Sequence, residues 1–290
     1  MFKGAFTALV TPFKNNGIDE TAFRNFIAFQ IDEGTNGLVP CGTTGESATL
    51  TYEEHKRVVE ITVTAAAGKV PVIAGTGSNS TDETIALTAH AKKAGADAAL
   101  LITPYYNKPT QEGLYLHFRK VAESVDIPLI LYNVPGRTAV NMLPETVARL
   151  SKIDNVIGIK EATADLEQAS WLRAECGDDF LLLSGDDATL LPFLSIGGDG
   201  VISVVSNVAP KAMADLCLAW REGDLVRAKE IHFQLLPLCR ALFSETNPIP
   251  VKEAVHMAGR ISEDIRLPLT RLEDEKREAL RNVLTGLRLL

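Results

Sequence analysis

Hydrophobic positions along the chain fall into two alternating textures. Short runs of consecutive apolar, often β-branched residues are followed by polar or glycine-rich breaks. Each break leads into a segment whose apolar residues recur every three or four positions. The runs are GAFTALVTPF from Gly4, GLVPCG from Gly37, VPVIAGTG from Val70 and AALLITPYY from Ala98. They continue with PLILYNVP from Pro128, VIGIKEA from Val156, FLLLSGDD from Phe180 and GVISVVSN from Gly200. Unalternated apolar runs fit strands covered on both faces, as in a parallel sheet wrapped by helices. The segments between them carry helix-start residues: Asp19 before ETAFRNFIAFQIDEG and Thr51 before a stretch that stops at Gly68, with Asn79–Gly95 and Asp165–Gly177 on the same scheme. Eight near-equal strand–helix units predict an α/β fold, a (β/α)8 TIM barrel, over a doubly wound sheet. After Asn207 only helical patterns remain, the first of which closes the barrel. The expected division is a catalytic barrel over residues 1–223 and a C-terminal helical region over 224–290.

In such a barrel the chemistry sits at the carboxyl ends of the strands. There the second run ends in CGTTGES, the fourth in TPYYNKP, the fifth in YNVPGR, the sixth in Lys160-Glu161 and the seventh in SGDD. Lys160 is the unusual member, because it closes a run as apolar as Val-Ile-Gly-Ile. Its bland role is a snorkelling side chain paired with Glu161 or Asp187. Strand alternation instead sends Ile157, Ile159 and Glu161 one way and Gly158 and Lys160 the other. With glycine leaving inward space beneath it, Lys160 is expected to stand in the barrel mouth with its stem in an apolar throat. Desolvation exposes a lysine's free amine as a nucleophile, and a keto acid would then form an imine with it. Tyr132 ends the adjacent strand and can carry protons for that chemistry. Thr43 and Tyr106 can extend a hydroxyl chain towards bulk water. Arg137, following Pro135-Gly136, suits a bidentate carboxylate contact or a surface salt bridge.

Composition narrows the classes. Of 290 residues, 46% are hydrophobic, and the net charge of -8 lacks the basic patch of a nucleic-acid or anionic-membrane surface. Four cysteines (Cys41, Cys176, Cys217, Cys239) lie far apart without metal or redox spacing, and three are in apolar surroundings, so buried reduced thiols are expected. The start has no signal-peptide pattern and no stretch reads as a membrane span, so a cytoplasmic enzyme is expected. GTGSN from Gly75 is weak as a phosphate loop, and GDD from Gly185 reads as N-capping by Asp186 or Asp187 rather than as a metal pair. No metal is expected.

The stretches GTTGES, TPYYNKP, YNVPGRT, GIKEAT, LLSGDD and NPIPVK, in this order over nearly the whole chain, resemble the 4-hydroxy-tetrahydrodipicolinate synthase family. The resemblance implies a lyase of lysine and diaminopimelate biosynthesis, a homotetramer built as a dimer of dimers. It would condense pyruvate with L-aspartate 4-semialdehyde, without a cofactor beyond the covalent pyruvate imine on Lys160. It implies Lys160 as the imine-forming residue, Tyr132 as proton donor and acceptor, and Thr43 and Tyr106 as the rest of the relay, Tyr106 being lent by a neighbouring subunit. Thr44 would contact the pyruvate carboxylate, Arg137 the semialdehyde carboxylate, and backbone at Gly185 and Ile202 would border the pocket. Ser47, Ala48, His55, Asn79, Glu83 and Tyr105 match a cleft in which many members bind inhibitory L-lysine, although Tyr52 stands where the enterobacterial pattern has histidine. The alternatives on the same scaffold are an N-acetylneuraminate lyase or a 2-keto-3-deoxy sugar acid aldolase. A silent pyruvate- or lysine-sensing barrel is a third.

Overall fold

The eight apolar runs become eight parallel strands in the computed structural model, which describes residues 2–290. They are β1 (Gly4–Ala8), β2 (Gly37–Val39), β3 (Ile73–Gly75), β4 (Ala98–Ile102), β5 (Leu129–Asn133), β6 (Val156–Glu161), β7 (Leu181–Ser184) and β8 (Gly200–Ser203). Their order is β2-β1-β8-β7-β6-β5-β4-β3, and a parallel bridge between Leu38 and Val72 closes the ring. The fold is the expected (β/α)8 barrel. A small hairpin, Phe13–Lys14 with Gly17–Ile18, follows β1.

The helices wrapping the ring are α1 (Glu20–Asp32), α2 (Tyr52–Ala66), α3 (Thr81–Ala94), α4 (Gln111–Ser124), α5 (Pro135–Thr138), α6 (Pro144–Leu150), α7 (Leu166–Cys176), α8 (Leu190–Ser195) and α9 (Pro210–Arg221). Then come α10 (Leu225–Leu242), α11 (Ile249–Met257) and α12 (Asp274–Gly286). Asp19 and Asp165 cap α1 and α7, and Thr51 with Glu54 forms a capping box on α2, each satisfying N–H groups that the first turn leaves free. The third helix starts later than expected: Ser80 is its cap, while the Asn79 amide donates to the Tyr105 carbonyl at 3.2 Å. None of the helices formed by the described residues is long and apolar enough to cross a membrane.

Side chains pointing into the ring, among them Phe6, Val39, Ile73, Leu100, Ile130, Leu183 and Ile202, fill its interior. The outward side chains pack under the helices. There α10–α12 share one apolar cluster with α1 and α2, through residues such as Leu235, Val251 and Leu284 against Phe23 and Val58. Cys41, Cys217 and Cys239 are buried free thiols, burial pushing Cys217 up to about 12.

Two features of β6 differ from simple alternation. Val156 pairs with Leu129 and Gly158 with Ile130, so an extra residue is accommodated, and Ile157 packs against the interior cluster instead of facing outward with Ile159. The inward space at Gly158 is also occupied. A Cβ there would lie 2.5 Å from the Cβ and the carbonyl oxygen of Leu181 on β7. Gly158 thus admits a neighbouring strand's side chain into the barrel.

The GDD corner after β7 divides its labour. Asp186 accepts from the backbone and hydroxyl of Thr189, at 2.8 and 2.9 Å, at the entry to α8. Asp187 does not cap that helix. Its Oδ2 accepts from the backbone N–H groups of Val204 and Val205 beyond β8, at 2.9 and 3.2 Å, and its Oδ1 has no partner. Burial raises its pKa to about 6, against the lowering effect of its hydrogen-bond donors. Among the described residues no cluster of His, Cys, Asp and Glu side chains is suited to a metal ion.

Gly158→Ala should lower stability by about 1–3 kcal/mol, because the added methyl meets backbone that cannot rotate away. Urea unfolding would show a lower midpoint at unchanged slope, and a parental midpoint would contradict this packing. Asp187 titrates near 6 when folded and near its ordinary 3.8 when unfolded. The folded state therefore holds more protons between those values, and the residue's contribution to stability falls as pH rises through that window. Relative to Asp187→Asn, which does not titrate, the parent should lose on the order of 3 kcal/mol between pH 3 and pH 7. Unfolding curves of both proteins at the two pH values test this, and a difference that stays constant would contradict it.

Candidate active site

Lys160 is the fifth residue of β6, and its register partner on β5 is Tyr132. The side chain enters the ring above the apolar layer of Leu100, Leu183 and Ile202, and the residue is only 7% exposed. Its amine lies 4.2 Å from the centroid of the Tyr132 ring. The snorkelling arrangement is not adopted, since Lys160 makes no salt bridge among the described residues. Asp187 is turned towards β8, and Glu161 points out of the ring, accepting from Asn133 at 3.0 Å, Gln168 at 3.2 Å and the Thr163 N–H at 2.9 Å. Burial pushes the Glu161 carboxyl up despite these donors.

A chamber of about 130 Å³ surrounds the amine and is bordered by Thr43, Thr44, Tyr132, Arg137, Gly185 and Ile202. Six of the expected residues thus meet around the seventh, Lys160. Gly185 is required by close approach: a Cβ would lie 2.5 Å from that of Ala162 and 3.0 Å from Lys160 Cε. Arg137 sits on the single turn α5, exposed, and makes no ion pair among the described residues; its guanidinium donates to the Asn247 carbonyl at 3.1 Å. That geometry leaves most of its donors for a carboxylate at the mouth. Tyr106 is not brought to the chamber. It has a left-handed backbone (φ 72°) and is 90% exposed.

Three residues given no role in the sequence reading belong to this site. Asn247 borders the chamber and donates to the Thr44 hydroxyl at 3.0 Å, and its own Oδ1 is buried without a partner. Glu46 and Lys252 form a buried ion pair of 2.5 Å behind the Thr43–Thr44 corner. Glu46 lies in GTTGES, and Asn247 and Lys252 open and close NPIPVK, so their motifs were visible. Pairing across some two hundred residues was not.

A larger chamber of about 440 Å³ adjoins the first, with Thr43, Arg137 and Asn247 bordering both. Ser47, Ala48, His55, Glu83 and Tyr105 line it together with Tyr52. Asn79 is not on its wall; it holds the Tyr105 segment from behind and accepts from Asn107 at 2.9 Å. His55 Nε2 donates to the Gly75 carbonyl at 2.8 Å, since a carbonyl only accepts, and burial lowers its pKa, so the neutral ring offers Nδ1 as an acceptor. Hydrogen bonds from Ser78 and Tyr52 hold the Glu83 carboxyl below its usual range, so an anion faces this space. Burial and that carboxylate raise the Tyr52 phenol.

The chain is similar to known proteins over nearly its whole length. A 4-hydroxy-tetrahydrodipicolinate synthase of Syntrophus aciditrophicus is 59% identical over 284 residues, covering 98% of each chain. The solved dihydrodipicolinate synthase of Acinetobacter baumannii, chloride-inhibited and complexed with pyruvate, is 47% identical with a TM-score of 0.98 over 100% of both chains. That of Cyanidioschyzon merolae with lysine bound is 41% identical with a TM-score of 0.97, covering 100% of this chain and 99% of that one. The dihydrodipicolinate synthetase family model matches residues 1–287, and the chain belongs to that family.

Proposed function

We propose that this chain is a 4-hydroxy-tetrahydrodipicolinate synthase that condenses pyruvate with L-aspartate 4-semialdehyde through an imine on Lys160. The observation that carries this reading is the Lys160 amine, buried without an anionic partner and stacked on Tyr132, beneath an arginine free to take a carboxylate. The free amine adds to the pyruvate carbonyl and a water leaves, giving an iminium that draws electrons from the neighbouring carbon. Loss of a methyl proton yields an enamine, whose carbon attacks the aldehyde. The semialdehyde's own amino group then displaces Lys160 from the iminium carbon, closing a six-membered ring and freeing the enzyme. One water is released overall.

Tyr132 is suited to pass protons to and from the carbinolamine oxygen, with Thr43 next in line. Thr44 and the backbone about Gly185 and Ile202 would hold the pyruvate end. Tyr106, exposed here, would complete the relay of a neighbouring subunit within a dimer of dimers. A sugar-acid aldolase would want several hydroxyl partners at the mouth, whereas Arg137 offers one cationic clamp. The names of full-length relatives favour the synthase over that alternative.

The adjoining chamber is proposed to take L-lysine as an inhibitor. Its anionic Glu83 suits an ammonium, with hydroxyl and imidazole acceptors beside it, and a family relative is solved with lysine bound.

Lys160→Ala should reduce condensation to background, and Tyr132→Phe should lower kcat by about 10²–10⁴-fold. Arg137→Ala should raise the semialdehyde KM by about 10–100-fold while the pyruvate KM stays near the parent's. Steady-state rates with both substrates varied would test all three, and a parental rate from Lys160→Ala would refute the reading. Separately, Glu83→Ala should weaken lysine inhibition at least tenfold with little change in uninhibited kcat. Unchanged inhibition, or none in the parent, would remove lysine from that chamber.

A further inference from the structure

The loop from Gly42 to Leu50 serves both chambers, giving Thr44 to the smaller, Glu46, Ser47 and Ala48 to the larger, and Thr43 to both. Glu46 stands between Thr44 and Ser47, in a left-handed conformation (φ 55°) that a residue with a side chain rarely adopts. Such a conformation persists only where its surroundings over-determine it. Here they do. Glu46 Oε1 meets the Lys252 ammonium at 2.5 Å, with the two side chains 1% and 5% exposed, and Oε2 accepts from the Arg266 N–H at 3.2 Å. The Lys252 ammonium lies 4.3 Å from the Phe13 ring centroid, and the Arg266 guanidinium lies 4.1 Å from the same centroid. Arg266 also donates to the Thr49 carbonyl at 3.0 Å, gripping the loop beyond Glu46. Thr11 grips it before Glu46, through the Gly45 carbonyl at 2.7 Å.

The link to the chemistry runs through one peptide group. The Glu46 N–H donates to the Thr43 carbonyl at 3.1 Å, so the orientation of the Thr43 peptide follows the turn at Glu46. Neither Glu46 nor Lys252 borders the chamber around Lys160. A buried ion pair is no better for stability than a well-packed apolar pair of the same volume, because both charges must be stripped of water. What it offers instead is a fixed direction.

We propose that Glu46 and Lys252 are positioning residues whose ion pair holds the left-handed turn that follows Gly45, and thereby aims the Thr43 hydroxyl at Tyr132. The inference rests on the condensation proposed above and names residues that act on it through another. Displacing a relay hydroxyl by about 1 Å is expected to cost on the order of 10–100-fold in rate. The pyruvate contact proposed for Thr44 has a hold of its own, since Asn247 donates to the Thr44 hydroxyl at 3.0 Å. The loss should therefore appear in kcat, with the pyruvate KM within about threefold of the parent's.

The test compares Glu46→Gln, Lys252→Met and the double variant Glu46→Leu/Lys252→Met in the full chain, reading thermal midpoint, kcat and KM for pyruvate. The single variants should lower the midpoint and kcat together. The double variant, with no charge left unpaired, should regain most of the midpoint while kcat stays at least tenfold down and the pyruvate KM stays near parental. Recovery of kcat in step with the midpoint would overturn the proposal, as would single variants of parental rate or a double variant that does not fold. Failure of the condensation reading is distinguishable, because the parent itself would then not condense the two substrates.

Discussion

An amine that is buried without a counter-charge governs the architecture of this site. Lys160 is carried to the mouth of the ring by β6, on the face that alternation directs inward, and finds an aromatic ring there instead of a carboxylate. The two carboxylates that the sequence offered as partners are engaged elsewhere: Glu161 with Asn133, Gln168 and Thr163, and Asp187 with the backbone after β8. Gly185 keeps a methyl from crowding its stem, and an apolar layer packs beneath it.

The helical region after the barrel forms part of the same functional unit. Asn247 stands two residues before α11 and reaches both Thr44 and Arg137, while Lys252 and Arg266 fasten the loop that carries Thr43. Packing of α10–α12 in one cluster with α1 and α2 fixes where those groups stand. The barrel supplies the buried Lys160 amine, and the chain beyond it supplies part of the wall through Asn247. This arrangement also brings the two chambers together at Thr43, Arg137 and Asn247, so a ligand in the larger one touches residues that border the smaller.

What was legible in the sequence was local. Eight apolar runs gave the strands because burial on both faces removes alternation, and Asp19, Thr51 and Asp165 marked helix starts because their side chains satisfy free N–H groups nearby. Lys160 and Tyr132 could be paired because each ends an apolar run of adjacent strands. The extra residue at Ile157 escaped notice because a bulge depends on the partner strand, and Gly158 was read as open space because the Leu181 that fills it belongs to β7. Asp187 looked like a cap because the N–H groups it binds lie 17 and 18 positions onward. The Glu46–Lys252 pair joins positions 206 apart, beyond the reach of any period or cap signal. Tyr106 carries no burial in a single chain, so its proposed role belongs to an assembly.

Reduction with borohydride in the presence of pyruvate, followed by mass mapping of the digested chain, tests the imine at Lys160 most directly. The account predicts one carboxyethyl group on the peptide containing Lys160, dependent on pyruvate and absent from Lys160→Ala. An unmodified Lys160 peptide from active enzyme, or an adduct on another lysine, would contradict it.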